Sequence, residues 1–189
     1  MANTFRFCTA SYIIDRKGYK MECLRILTEK DMLGIDSGLC TAEPRRSARG
    51  IVLDEENRIG MLYVKESDVY GLPGGGIDGD ESIEEAFIRE IKEEIGCDCE
   101  IIRELGYVEQ NHVRHNVVFT SYYFLARLVG EKGTPTYTEE ELKETLSIEW
   151  HTPEDAERLI ERNKVESDGM IFLKESFLIA LRKCFKSQT

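Results

Sequence analysis

The chain has 189 residues, of which 41% are hydrophobic and 32% charged, a composition typical of a globular protein that buries its own core. Its 36 acidic and 25 basic residues give a formal net charge of −11, so its surface repels nucleic acid and anionic lipid, and neither is expected as a partner. The sequence has no apolar run long enough to cross a membrane and no signal-peptide pattern at its start, so we expect a cytoplasmic protein.

Residues 1–44 are interpreted as an N-terminal extension. The stretches FRFCTASYII and YKMECLRIL have strand-like content, a turn-like DRKG separates them, and GIDSGLCTAEPRR follows as a loop. Two roles fit this segment: strands packed on or beside the main domain, or part of a homodimer interface. Residues 45–189 are predicted to form the main domain.

From Ser47 the pattern is more regular. ARGIVLD and IGMLYV predict two strands joined by a turn at EENR. YGLPGGGIDGDE has five glycines and one proline between residues 71 and 79, so it predicts a loop. SIEEAFIREIKEEIG predicts a helix, because Ser82 and Glu85 have capping-box spacing and Gly96 suits the left-handed position after the last turn.

The second half of the chain alternates between strand and helix signals. CEIIRELGYVEQ and NVVFTSYYFLARLVG predict strands, and GEKGTPTYTEEELKE is an acidic, turn-rich stretch. LSIEWHT predicts a short strand, PEDAERLIERN a helix with Pro153 in its first turn, and MIFLKESFLIALRKCF an amphipathic helix. Strands on both sides of a helix, with more helices at the end, indicate a mixed α/β sandwich.

The predicted helix after Ser82 turns carboxylates toward the protein body. On a wheel of about 100° per residue, Glu90 and Glu94 fall within the apolar arc and Glu93 at its rim. Carboxylates in this position repel each other and need a partner, because a buried unpaired charge is very costly. Basic side chains are one partner and a divalent cation is another, and oxygen-only ligands suit Mg²⁺ or Mn²⁺.

The glycines before this helix also match a dinucleotide-binding pattern. Gly74, Gly76 and Gly79 have the G-x-G-x-x-G spacing, which needs a phosphate against the helix N-terminus. That end carries five acidic residues, which would repel a phosphate: Asp78, Asp80, Glu81, Glu84 and Glu85. A Rossmann site is therefore disfavoured, and no organic cofactor is expected.

Residues 75–97 resemble the Nudix box, a motif with Gly, five residues, Glu, seven residues, and Arg-Glu-aliphatic-x-Glu-Glu-x-Gly-aliphatic. The match places Gly75, Glu81, Arg89, Glu90, Ile91, Glu93, Glu94, Gly96 and Cys97 at the specified positions. Cys97 departs from the pattern, since an aliphatic residue is usual there. The resemblance implies a Nudix-like α/β/α sandwich with a mixed β-sheet.

The resemblance also implies an activity: hydrolysis of a nucleoside diphosphate linked to another group, such as a nucleoside triphosphate or a nucleotide sugar. By position, Glu90, Glu93 and Glu94 would hold Mg²⁺ together with the Gly75 carbonyl. Glu81 and Arg89 would pair and brace the loop against the helix. Glu93 is the first candidate for the general base that activates water.

Several alternatives stay open from the sequence. A later loop could supply the general base, and the candidates there are Glu139, Glu140, Glu141 and Glu144. His112 and His115 could touch substrate, although a structural or surface role is the simpler interpretation. A sensor that binds a nucleotide derivative without turnover competes with the enzyme, but sensors can lose box carboxylates and this chain keeps them all. The small-molecule nucleotide substrate is not identified further.

Overall fold

The structure is a computed structural model that describes residues 20–135 and 146–185, and the backbone of residues 12–14. Its strands are β1 (Tyr12–Ile14), β2 (Lys20–Thr28), β3 (Arg45–Leu53), β4 (Ile59–Val64), β5 (Val69–Gly71), β6 (Gly74–Gly76), β7 (Asp98–His112), β8 (Val117–Val129) and β9 (Leu146–His151). Its helices are α1 (Glu29–Leu33), α2 (Ile83–Ile95), α3 (Pro153–Arg162) and α4 (Asp168–Phe185), with a 3-10 turn at Val113–His115.

The strands form one mixed sheet in the order β1-β2-β7-β8-β3-β4-β5, with β6 also paired to β3 and β9 to β4. The β2–β7 and β3–β8 pairs are parallel and the other pairs are antiparallel. Ala48 of β3 lies opposite both Tyr122 of β8 and Gly75 of β6. The glycine-rich segment is therefore anchored directly to a strand at the centre of the sheet.

Helices cover both faces of the sheet, which confirms the predicted α/β/α sandwich. On one face α2 packs its apolar side against the strands, with the Phe87 and Phe124 ring centroids 5.0 Å apart. On the other face α3 and α4 cover a second core, where the Tyr123 and Ser176 hydroxyls lie 2.6 Å apart. Successive residues of β3 alternate between the two cores, with Val52 facing α2.

The structure confirms the predicted ends of α2. Ser82 caps the helix and forms a capping box with Glu85, and Gly96 has φ 79° in the left-handed region. The helix therefore starts and stops where the local sequence specifies.

The prediction of a continuous loop over residues 70–81 is wrong in part. Val69–Gly71 and Gly74–Gly76 are short strands, and Gly74–Gly76 pairs antiparallel with Ser47–Arg49. Glycine has little strand preference of its own, so this segment is a strand because its backbone pairs with Ser47–Arg49 of β3. Gly74 has φ 125°, and a Cβ there would lie 2.2 Å from the Ala48 carbonyl oxygen, so only glycine fits this close approach.

Part of the N-terminal segment belongs to the sheet. β2 pairs in parallel with β7, from Cys23 opposite Tyr107 to Thr28 opposite Asn111. The helix α1 follows β2 directly and had no counterpart in the sequence prediction. The turn predicted at DRKG lies outside the described residues. No helix in the described part of the chain combines the length and apolar character that crossing a membrane requires.

Candidate active site

The three glutamates in the second half of α2 differ in how deeply they are buried. Glu94 is buried with 7% of its surface exposed, and the side chain of Glu90 is 13% exposed. The side chain of Glu93 is 47% exposed. The prediction that Glu90 and Glu94 face the protein body, with Glu93 at the rim, is confirmed.

Arg89 is the cation at the centre of this group. Its guanidinium donates to Glu81 at 2.7 Å, to Glu90 at 2.8 Å and to Glu93 at 3.3 Å. It also donates to the Gly76 carbonyl at 2.9 Å, so it ties the glycine-rich segment to α2. The Glu81–Arg89 pair implied by the motif is present. Hydrogen bonding from Arg89 lowers the pKa of Glu81, which therefore stays ionised at neutral pH.

The backbone of Gly74 forms hydrogen bonds with two side chains, one from each face of the sheet. Its N–H donates to the Glu94 carboxylate at 2.6 Å, and its carbonyl accepts from the Arg49 guanidinium at 2.6 Å. At the next residue, a Cβ on Gly75 would lie 2.6 Å from the Glu90 carboxylate. The absence of a side chain at Gly75 thus lets Glu90 lie directly against the backbone.

We call Glu81, Glu90, Glu93 and Glu94 the acidic cluster. Burial raises the pKa of Glu90, and Arg89 only partly offsets this. Excess negative charge and oxygen donors are the properties that suit Mg²⁺ or Mn²⁺. Among the described residues, however, no three acidic, histidine or cysteine side chains converge into a ligand set. Glu90 and Glu93 bind Arg89, whereas Glu94 binds Gly74.

A cavity of about 340 Å³ lies beside Gly76. It is bounded by β3, β7, β8 and the first turns of α4, and Arg45, Arg46, Gln110 and Phe119 are among its lining residues. In the described part of the chain neither Arg45 nor Arg46 forms an ion pair with a carboxylate. Instead their guanidinium carbons lie 5.9 Å and 5.3 Å from the centroids of the Phe119 and Tyr122 rings.

Sequence reasoning did not identify this cavity. Two signals were available: His112, which the sequence analysis named as a possible substrate contact, and the pair Arg45-Arg46, two adjacent arginines in a strongly acidic chain. Gln110 and Phe119 come from different strands and gave no signal by themselves.

The other residues that the sequence analysis singled out lie in different parts of the molecule. Glu139, Glu140, Glu141 and Glu144 lie outside the described residues. His112 is buried in the wall of the cavity, whereas His115 is exposed on the turn that follows. Cys97 is buried against the core under α2, so it occupies the packing position that the motif gives to an aliphatic residue.

A mixed sheet lies between helices, and an acidic loop–helix segment is anchored to its central strand. This is the architecture of a Nudix-like α/β/α sandwich. The model of the NUDIX domain matches residues 43–172, which is more than half of the sequence. The chain belongs to the NUDIX domain family.

Two curated relatives match over 103 residues, or 54% of this chain. One is a Bacillus subtilis (strain 168) protein, 29% identical, provisionally named as an 8-oxo-dGTP diphosphatase. The other is a Caenorhabditis elegans protein, 30% identical, provisionally named nudix hydrolase 1. The match spans 63% of the first relative and 25% of the second.

Solved structures share the fold. An ADP-ribose pyrophosphatase from Streptococcus suis 89-1591 aligns with a TM-score of 0.51 at 21% identity, over 77% of this chain and 96% of its own. A MutT NUDIX hydrolase from Burkholderia pseudomallei aligns with a TM-score of 0.52 at 23% identity, over 75% and 98%. At these identities the likeness concerns the fold alone.

Proposed function

We propose that the protein hydrolyses a pyrophosphate bond in a nucleoside diphosphate linked to another group, using Mg²⁺, with Mn²⁺ as the alternative ion. The observation that carries the proposal is the acidic cluster, opposed mainly by Arg89, directly beside a cavity that carries Arg45 and Arg46. The cluster attracts a cation and the two arginines attract an anion, so a metal ion and a phosphate chain are drawn to adjacent points.

The roles of the individual groups follow from the resemblance to the Nudix box. The Gly75 carbonyl, Glu90, Glu93 and Glu94 are the groups that would hold the ion. When bound, Mg²⁺ would polarise the phosphate and make a nearby water more acidic. Glu93 is the most exposed of these three glutamates, and its carboxylate would serve as the general base that accepts a proton from water.

The Glu81–Arg89 pair acts by positioning rather than by proton transfer. Arg89 binds Glu81 on the loop, Gly76 on β6 and Glu90 on α2, so it fixes the loop, strand and helix relative to one another. Such an arrangement keeps the cluster carboxylates close to the orientation that catalysis requires.

The substrate is a nucleoside triphosphate or a nucleotide sugar. The activity named for the Bacillus relative favours the triphosphate. The test is a panel of both classes, assayed with Mg²⁺ and with Mn²⁺ for released phosphate, pyrophosphate and nucleoside monophosphate. Metal-dependent release from at least one member is expected. Tight binding of a member without hydrolysis of any would instead support the non-catalytic sensor.

The remaining predictions concern the whole protein. We propose a cytoplasmic location, and a main domain beginning at residue 45. Association as a homodimer stays a prediction that light scattering of the full chain measures.

A further inference from the structure

The cavity beside Gly76 contains a histidine with unused hydrogen-bonding capacity. His112, at the end of β7, is 3% exposed and lines the cavity. Its Nε2 atom has no hydrogen-bond partner among the described residues. Because a buried polar atom without a partner costs free energy, such an atom in a cavity wall is available to a ligand that supplies the partner.

The surroundings of His112 set its charge and its orientation. Burial lowers the pKa of the imidazole and the nearby His115 lowers it further, so the ring is neutral at pH 7. A neutral imidazole has one donor and one acceptor nitrogen. The ring packs edge-on to Phe119 at 5.5 Å and against Phe172 at 4.1 Å, which holds it in one position.

The other groups of the cavity fit a flat polar ring. Gln110 is 4% exposed and carries both a donor and an acceptor. Phe119 supplies an aromatic surface. A few fixed polar groups within an apolar wall are the usual composition of a site that recognises a small heteroaromatic molecule.

The volume of the cavity and its wall at α4 limit the size of the ligand that it can hold. Its volume of about 340 Å³ lies at the low end of the range for small-molecule sites, which suits one nucleoside rather than two. Gly169 and Leu173 at the start of α4 form one wall. Arg114 fixes that end of α4, since it binds Asp168 at 2.6 Å and the buried Glu29 at 3.3 Å.

We infer that His112 and Gln110 select the base of the nucleotide whose nucleoside part would occupy this cavity under the proposed function. The inference rests on the proposed function and deepens it by naming the side chains that distinguish one base from another. The phosphate lies at the rim, where Arg45 and Arg46 face the same space as Gly76.

The experiment measures binding separately from turnover. AMP, GMP, CMP and UMP are titrated calorimetrically into the full chain in EDTA, and inorganic pyrophosphate serves as a probe without a base. His112→Phe keeps an aromatic ring between Phe119 and Phe172 but removes the nitrogen. We expect it to weaken the best monophosphate about 5- to 10-fold, as does Gln110→Leu, while the affinity for pyrophosphate is unchanged.

Two further variants make the result specific. His112→Gln returns a polar group near the lost nitrogen and should recover part of the affinity. His115→Gln changes the exposed neighbour and should bind all probes as wild type does. Thermal melts check that each variant is folded.

The outcomes separate this inference from the proposed function. Wild-type monophosphate affinity in folded His112→Phe and Gln110→Leu overturns the inference even if the enzyme turns over. An equal loss for pyrophosphate, or no binding of any monophosphate, also overturns it. Base-selective binding that depends on His112, without hydrolysis of any panel member, supports the inference and overturns the proposed function.

Discussion

Glu94→Gln removes one negative charge from the acidic cluster and keeps the shape of the side chain. Glu94 is 7% exposed and accepts the Gly74 N–H at 2.6 Å, and the glutamine carbonyl can accept the same hydrogen bond. Exchanging a charged hydrogen bond for a neutral one costs about 1 kcal/mol. Relief of the repulsion with Glu90 returns a few tenths. The free energy of unfolding should therefore change by about 1 kcal/mol at most, which shifts Tm by no more than about 4 °C.

The effect of the same substitution on catalysis should be much larger. If the Glu94 carboxylate holds Mg²⁺, its loss removes charge stabilisation where the phosphate reacts, and kcat should fall by roughly 100-fold or more. The assay measures kcat over a Mg²⁺ titration on the best substrate of the panel, alongside a thermal melt. Glu85→Gln is the matched control: it lies on the same helix, is exposed, and glutamine retains the capping box.

Two results would refute this reasoning. Wild-type kcat in Glu94→Gln at the same Mg²⁺ concentration would remove Glu94 from the site. A drop in Tm far beyond the expected few degrees would show that the carboxylate serves the fold rather than the chemistry.

Three other substitutions test separate features. Arg89→Lys cannot bind the loop, strand and helix at once, so kcat should fall roughly 10- to 100-fold in steady-state assays. Gly74→Ala forces a Cβ against backbone at φ 125° and should destabilise the protein by about 2 kcal/mol or more in denaturant unfolding. Burial alone would raise the pKa of Asp54, but Lys132 and Arg58 outweigh it and lower the pKa to about 2. Asp54→Asn should therefore cost about 2 kcal/mol at pH 7, and the difference from wild type should vanish as pH falls from about 4 to 2.

Each of these has a control of the same chemistry. Arg158→Lys changes an exposed ion pair on α3 and should leave kcat unchanged. Gly76→Ala adds a Cβ that meets no atom within 4 Å, so stability should be nearly unaffected. Asp98→Asn changes an exposed carboxylate, so stability should depend on pH below about pH 4 as it does in the wild type. Equal effects in variant and control would contradict the structural reason given for that variant.

The part of the site that lies on one helix could be predicted from the sequence. Capping by Ser82, termination at Gly96 and the inward direction of Glu90 and Glu94 depend on local spacing within α2. Periodicity is enough for such features, because neighbours on a helix face are only three or four residues apart in sequence.

Features made by distant segments could not be predicted. The strand at Gly74–Gly76 exists because β3 lies beside it, and nothing in three glycines signals that partner. The cavity joins Arg45, Gln110, Phe119 and α4, which meet only through the parallel β3–β8 and antiparallel β7–β8 pairings. For His112 the sequence leaves substrate contact and a structural or surface role open, because its position in the sequence does not reveal the cavity.

Two hydrogen bonds to the backbone of Gly74 connect the cavity to the acidic cluster. Arg49 lines the cavity and donates a hydrogen bond to the Gly74 carbonyl. Glu94 belongs to the acidic cluster and accepts a hydrogen bond from the Gly74 N–H. If a ligand in the cavity displaced Arg49, the Gly74 peptide would transmit that displacement to Glu94, and an ion bound at Glu94 would act on the same peptide. Thermodynamic linkage would make such a coupling reciprocal: a bound nucleoside and a bound cation would change each other's affinity by the same factor.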